Sequence, residues 1–229
     1  MSVVELFTSQ GCTPCRAAEP VMRELARKPG IIALTLPVTY WDYLGWPDTM
    51  ALRALNERQR AYSRAHGARQ VVTPQVVVDG GSTAIGSNRT AVESLLLASD
   101  REGLLPVPVR AELRGSQIVI EVGEAAGQPA REAARAAKGD GRDEVWLVPL
   151  LRRRVTEVEA GENDGRVATY VNVVRGLQRL GTWTGQPVRF EVPATAAAVS
   201  EADGWVVLVQ HVRDGRLGRI LGAAKGPGL

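Results

Sequence analysis

Cysteine and histidine are scarce in this sequence, with two of each in 229 residues. Two cysteines exclude a disulfide framework and a four-thiolate zinc site. Spaced C-x-x-C, Cys12 and Cys15 close too short a loop to staple the chain by restricting its unfolded state. Aromatic residues make up 5% of the chain, and the formal net charge is +3. The longest basic run, Arg152-Arg153-Arg154, has no interleaved aromatics and is soon followed by acid. It fits a solvated face or strand edge, not a nucleic-acid surface. No apolar stretch reaches the ~18–20 residues that span a bilayer. Val3 to Phe7 is too short for the apolar region of a signal peptide and has no cleavage site. The expectation is a soluble chain without nucleic-acid partner, membrane span or leader, cytoplasmic as it stands.

What is present falls into two patterns. Val3 to Thr8 is an apolar run rich in β-formers, hence a buried strand. Ser9-Gln10-Gly11-Cys12-Thr13-Pro14-Cys15 is a turn. Ala18, Val21, Met22 and Leu25 then recur at helical spacing, predicting a helix from about Cys15 to Arg27. Ile31 to Val38 is a second strand. Residues 50–65 form a second helix, with Leu55 and Tyr62 inward and Arg58, Arg60 and Arg64 outward. Val71 to Asp79, entered through Thr73-Pro74, is a third strand. Gly80-Gly81 turns into Ser82 to Gly86, and Thr90-x-x-Glu93 caps a last helix ending near Ala98. The order β-α-β-α-β-β-α, with the dithiol after the first strand, predicts an α/β thioredoxin-like N-terminal domain over residues 1–103.

Beyond residue 103 the period is two. About eight short strands between Val107 and Leu221, many separated by Gly-containing turns, predict an all-β, sandwich-like domain over 104–229. Residues 123–143, poor in bulky apolar side chains, are expected to form a mobile loop with or without a short helix.

The dithiol carries the chemistry. A cysteine attacks as thiolate, and a position just before a helix offers it orphan N–H groups. Cys12 is then the nucleophile, and Cys15, one turn on, the thiol that resolves a mixed disulfide. Pro14 fixes φ between them. Pro74 is expected to be cis, packed opposite the dithiol, with Thr73 presenting backbone groups to a substrate chain. Glu5, inside an apolar strand, is the candidate base for Cys15 through a burial-raised pKa; its alternative is a strand end facing solvent. Trp41 and Tyr43, with Asp42 and Trp46, crowd one loop. They form a substrate-selecting wall or a loop anchored by its own aromatics. His66 fits a helix cap and His211 a structural role. No metal site and no cofactor is expected.

Together, Val4-Glu5-Leu6-Phe7-Thr8-Ser9-Gln10-Gly11-Cys12, Tyr40-Trp41-Asp42-Tyr43-Leu44-Gly45-Trp46, Thr73-Pro74-Gln75-Val76-Val77-Val78-Asp79-Gly80, Tyr170-x-Asn172-Val173-Val174-Arg175 and Leu180-Gly181-x-Trp183-x-Gly185 resemble the bacterial family called domain of unknown function 1223 (DUF1223). The resemblance covers both halves of the chain. It implies a thioredoxin-like first part carrying the dithiol, a β-rich second part, and relatives that are often exported to the periplasm. Members often carry Pro directly after the second cysteine, where this chain has Arg16.

Two functions from different classes follow. The first is a thiol–disulfide oxidoreductase acting through Cys12 and Cys15 on a protein or small-molecule thiol or disulfide. The second is a non-catalytic binding module on a thioredoxin-like scaffold, with the pair as a soft-metal clamp for Cu(I), since two thiolates suit that ion. A thiol peroxidase, with Arg16 or Thr8 polarising the peroxide, is a third.

Overall fold

The computed structural model describes residues 1–103, 105–124 and 141–229. The loop expected at 123–143 therefore lies largely outside the described residues. In chain order the strands and α-helices are β1 (Ser2–Thr8), α1 (Ala18–Leu25), β2 (Ile31–Pro37), α2 (Arg53–Ala65), β3 (Gln75–Val78), β4 (Ser82–Ile85), α3 (Arg89–Glu102), β5 (Val109–Arg114), β6 (Gln117–Val122), β7 (Gly141–Val158), β8 (Arg166–Val174), β9 (Gln178–Trp183), β10 (Val188–Pro193), β11 (Gly204–Arg213) and β12 (Arg216–Lys225).

The expected fold class is corrected here. There is no thioredoxin-like α/β domain followed by a separate all-β domain. One mixed sheet of nine strands runs through both halves in the order β12-β11-β7-β8-β2-β1-β3-β4, with β9 paired to β7. A three-stranded sheet, β10-β6-β5, packs beside it. The junction is between β2 and β8, which meet in parallel at Thr35 and Val173. The Thr35 hydroxyl donates to the Val171 carbonyl at 2.6 Å, and the Asn172 amide donates to Ala33 O at 2.9 Å. Periodicity locates strands but does not say which strands pair, so the joining of β2 to β8 leaves no local signal.

Alternation along β1 decides what each face carries. Val4 and Leu6 pack with Ala18, Met22 and Leu25 of α1. Val3 and Phe7 face the other way, into a core that includes Leu55 and Tyr62 of α2 and Val148, Val206 and Ile220 from the second half. A further core lies between the two sheets, around Ile118, Ile120, Val207 and Trp183.

Several elements differ from expectation for identifiable reasons. The first helix opens as a 3-10 turn, Thr13–Ala17, before α1. Pro20 has no N–H for the Arg16 carbonyl, so the α ladder starts late. Asn88, not Thr90, caps α3, accepting from the Ala91 N–H at 3.1 Å. Not all the strands of the second half are short: β7 runs for 18 residues. Its first half pairs with β11 and β9 and its second half with β8. Gly80 shows how closely the halves approach. Its φ is +67°, and a Cβ there would lie 2.4 Å from the Gly218 carbonyl oxygen of β12.

Candidate functional site

The turn that leaves β1 carries the two sulfurs, and its own backbone closes it. The Cys12 N–H donates to Ser9 O at 3.2 Å, the Gly11 N–H to Ser9 Oγ at 3.1 Å, and the Cys15 N–H to Cys12 O at 3.2 Å. Cys12 and Cys15 form a disulfide. Both are buried, at 1% and 0% exposure, although Thr13 and Pro14 between them are exposed.

Three segments far apart in the chain hold this turn. From the first, Asp48 accepts the Gln10 N–H at 2.7 Å and the Met50 N–H at 2.8 Å. The Trp46 indole donates to Gln10 Oε1 at 2.7 Å. Burial pushes the Asp48 carboxyl up to about 6; the two N–H donors pull it down, and the Asp42 charge adds to the rise. From the second segment, the turn after β7, Asn163 donates to Gln10 O at 2.7 Å, and Glu162 accepts the Thr13 hydroxyl at 2.9 Å. The third is the entry to β3. The Thr73–Pro74 peptide bond is cis. Thr73 Oγ1 donates to Cys12 Sγ at 3.2 Å and accepts the Trp41 indole N–H at 2.7 Å. A disulfide sulfur carries no hydrogen, so in this pair the Thr73 hydroxyl is the donor.

Trp41 also presses on the turn itself, because a Cβ on Gly11 would lie 3.3 Å from the Trp41 carbonyl oxygen. Tyr43 stacks on Trp41 with ring centroids 6.3 Å apart, and is 77% exposed. The structure therefore brings Cys12, Cys15, Thr73 and Trp41 together, with Pro74 beside Thr73 and Tyr43 on the outer side of Trp41.

Glu5 is elsewhere. Its side chain is on the α2 face of β1, opposite the face that packs on α1. There it pairs with Arg58 at 2.6 Å and accepts the Tyr62 hydroxyl. Gln210 of β11 completes the cluster, accepting from Arg58 at 2.9 Å and donating to Tyr62 at 2.7 Å. Arg58, expected outward, is 5% exposed. Burial works to depress its pKa, and the Glu5 carboxylate outweighs that effect and holds the guanidinium charged. A helix-face assignment from periodicity puts an arginine outside unless a buried carboxylate is known to wait for it. The partner here is 53 positions earlier.

The buried carboxylate on the dithiol's own helix is Glu19, four residues after Cys15. Cys15, Ala18, Glu19 and Met22 make one buried stripe. Burial raises the Glu19 pKa, and Arg166 of β8, which bonds it, pulls it back. Helical spacing from Cys15 could have found Glu19. Nothing in the sequence pointed to Asp48 or Asn163, whose contacts join distant segments.

The chain's relatives agree with this geometry only at the level of family and fold. The pattern of a family described as "Protein of unknown function (DUF1223)" matches residues 3–210. An X-ray crystal structure of a protein from Agrobacterium tumefaciens is 32% identical, with a TM-score of 0.82 over 98% of this chain and 92% of that one. A DUF3823 family protein from Bacteroides ovatus is 10% identical over 52% of this chain and 53% of that one, and its TM-score of 0.29 carries no argument. No curated protein matches the chain.

Proposed function

The chain belongs to the DUF1223 family, and from that premise we propose that it is a thiol–disulfide oxidoreductase working through Cys12 and Cys15. The observation that carries this reading is the Thr73 hydroxyl on Cys12 Sγ. A donor aimed at one sulfur of a disulfide favours negative charge on that sulfur, and so favours its thiolate when the bond is open. Among the described residues no side-chain donor meets Cys15 Sγ. The two cysteines are thus unequal, as a nucleophile and a resolving thiol must be.

In the reducing direction, the Cys12 thiolate attacks a substrate disulfide R–S–S–R. A Cys12–S–S–R bond forms and one R–S⁻ leaves. The Cys15 thiolate then attacks Cys12 Sγ, the Cys12–Cys15 bond forms, and the second R–S⁻ leaves. Two electrons pass to the substrate, and the dithiol ends in the disulfide state that the structure holds. Run backward, two substrate thiolates are oxidised. In either direction the substrate sulfur must reach Cys12. Trp41 covers that approach, Thr73 and Pro74 flank it, and the exposed Tyr43 meets the substrate first.

Cys12→Ser tests the reading. The intact chain is expected to titrate as a two-electron couple in glutathione buffers, followed by tryptophan fluorescence. It is also expected to reduce insulin or a model disulfide, and the variant to lose both properties. A wild-type chain whose disulfide stays intact across the whole range of buffers would sink the proposal.

A further inference from the structure

Resolution of a mixed disulfide on Cys12 asks Cys15 to attack, and a cysteine attacks only as thiolate. Cys15 is 0% exposed, so bulk water does not reach its proton and the step needs a base inside the fold. Most acids around the dithiol turn are committed elsewhere. Glu162 is exposed and takes the Thr13 hydroxyl. Asp48 accepts the Gln10 and Met50 N–H groups on the other side of the turn. Glu5 is paired with Arg58 on the α2 face of β1. Glu19 remains, 5% exposed and one turn after Cys15 on the same buried stripe. Side chains four apart on a helix have Cβ atoms about 5–6 Å from each other. Each also leans toward the N-terminal end, which carries Glu19 back over the turn that holds Cys15.

The surroundings of Glu19 suit a group that gains and loses a proton. Arg166 of β8 bonds one carboxylate oxygen, and the Thr169 N–H meets the other at 3.4 Å. With Arg23 on the same helix they favour the charged form, ready to accept, while burial raises the pKa so that an accepted proton is held. Tyr170 of β8 is 2% exposed, and the charges of Asp48, Glu19 and Arg166 all act on its hydroxyl. Thr8, which leads from β1 into the dithiol turn, lies beside it. The Tyr170 and Thr8 hydroxyls and Arg166 Nη1 are buried, and none has a hydrogen-bond partner among the described residues. Buried polar atoms are rarely left so. Groups with bonding capacity to spare thus adjoin the carboxylate where an apolar lining would otherwise be, and a proton on Glu19 has somewhere to go.

We propose that Glu19 is the proton acceptor for Cys15, held in place by Arg166 and Thr169; this rests on the oxidoreductase reading. The Cys15 S–H bond breaks, its proton goes to a Glu19 carboxylate oxygen, and the sulfur keeps the electron pair. That pair forms the Cys15–Cys12 bond, and the bond from Cys12 to the substrate sulfur breaks to release R–S⁻. Run backward, a substrate thiolate attacks Cys12, Cys15 leaves, and protonated Glu19 returns the proton to it.

The test uses the reduced intact chain and one equivalent of dithiobis(nitrobenzoate), a disulfide whose released thiolate is coloured. The chain has two cysteines, so the colour develops in two phases. The first thionitrobenzoate leaves as Cys12 forms the mixed disulfide, and the second as Cys15 closes on Cys12. Glu19→Gln keeps an acceptor for Arg166, and circular dichroism checks that it is folded. The variant is expected to leave the first phase unchanged and to slow the second about a hundredfold. The pH profile separates this from a merely structural role. In the wild type the second rate falls as acid protonates Glu19 and is level above that titration. In the variant it climbs about tenfold per pH unit toward the ordinary thiol range, about 8.5. A second phase with the same rate and pH slope in both chains overturns the inference and leaves the oxidoreductase reading standing. If the variant does not fold, the wild-type profile decides: a level second rate supports the inference, and a steady climb through neutrality overturns it. A wild-type chain that releases the first thiolate and never the second removes the oxidoreductase reading, and the inference with it.

Discussion

Asp48 is 7% exposed and carries the backbone of the dithiol turn through the Gln10 N–H. Its carboxyl titrates at about 6, against an ordinary value of 3.8. The folded chain therefore binds this proton more tightly than the unfolded chain. By linkage, the contribution is fully present below pH ~4 and is lost as pH rises through about 6. The whole effect amounts to at most ~3 kcal/mol. Urea denaturation of wild type and Asp48→Asn at pH 4.5 and 7 checks it. The wild type should lose more stability than the variant on going to pH 7, and equal losses would contradict the assignment. The residues that meet at the dithiol turn differ in how far the sequence marks them. Cys12, Cys15 and Thr73 were legible because a short motif and a Thr-Pro dipeptide mark them. Asp48 and Asn163 were not, because each acts through one hydrogen bond to a peptide group of Gln10, and peptide groups leave no trace in a residue pattern.

Where β1 crosses α2, Glu5, Arg58, Tyr62 and Gln210 form a buried polar cluster joining strands of both halves. Removing one member of such a pair leaves the other charged and dry, at a loss of about 3–5 kcal/mol. Arg58→Met should lower the urea-extrapolated stability by that much, and Glu5→Leu/Arg58→Met should recover part of it. A single-variant loss under ~1 kcal/mol would show that water reaches the pair. The elements themselves were largely legible. β1, β2, α2 and the Gly80-Gly81 hairpin follow from period and turn chemistry, and most later strands sit within a few residues of their alternating runs. β9 escaped, since Gln178–Trp183 carries a glycine and few β-branched residues. α1 was expected to reach Arg27 and ends at Leu25.

At the scale of the whole molecule, the expected two-part architecture gives way to a nine-stranded sheet shared by both halves, with a three-stranded sheet beside it. Alternation identifies strands, but a parallel contact between β2 and β8, 136 positions apart where Thr35 meets Val171 O, has no local signature. The main core mixes Val3, Phe7 and Leu34 with Val148, Val206 and Ile220. A chain ended at residue 103 would expose that apolar surface and leave Arg58 without Gln210. Such a fragment is expected to show no cooperative thermal transition, while the full chain melts in one step by circular dichroism. An independently cooperative fragment would refute this.

Glu162 and Asn163 fasten onto the dithiol turn from about 150 positions further along the chain. Both flanks of Cys12 are tied to that distant turn, through Thr13 and Gln10, so the loop that holds the sulfurs is built from both halves of the sequence.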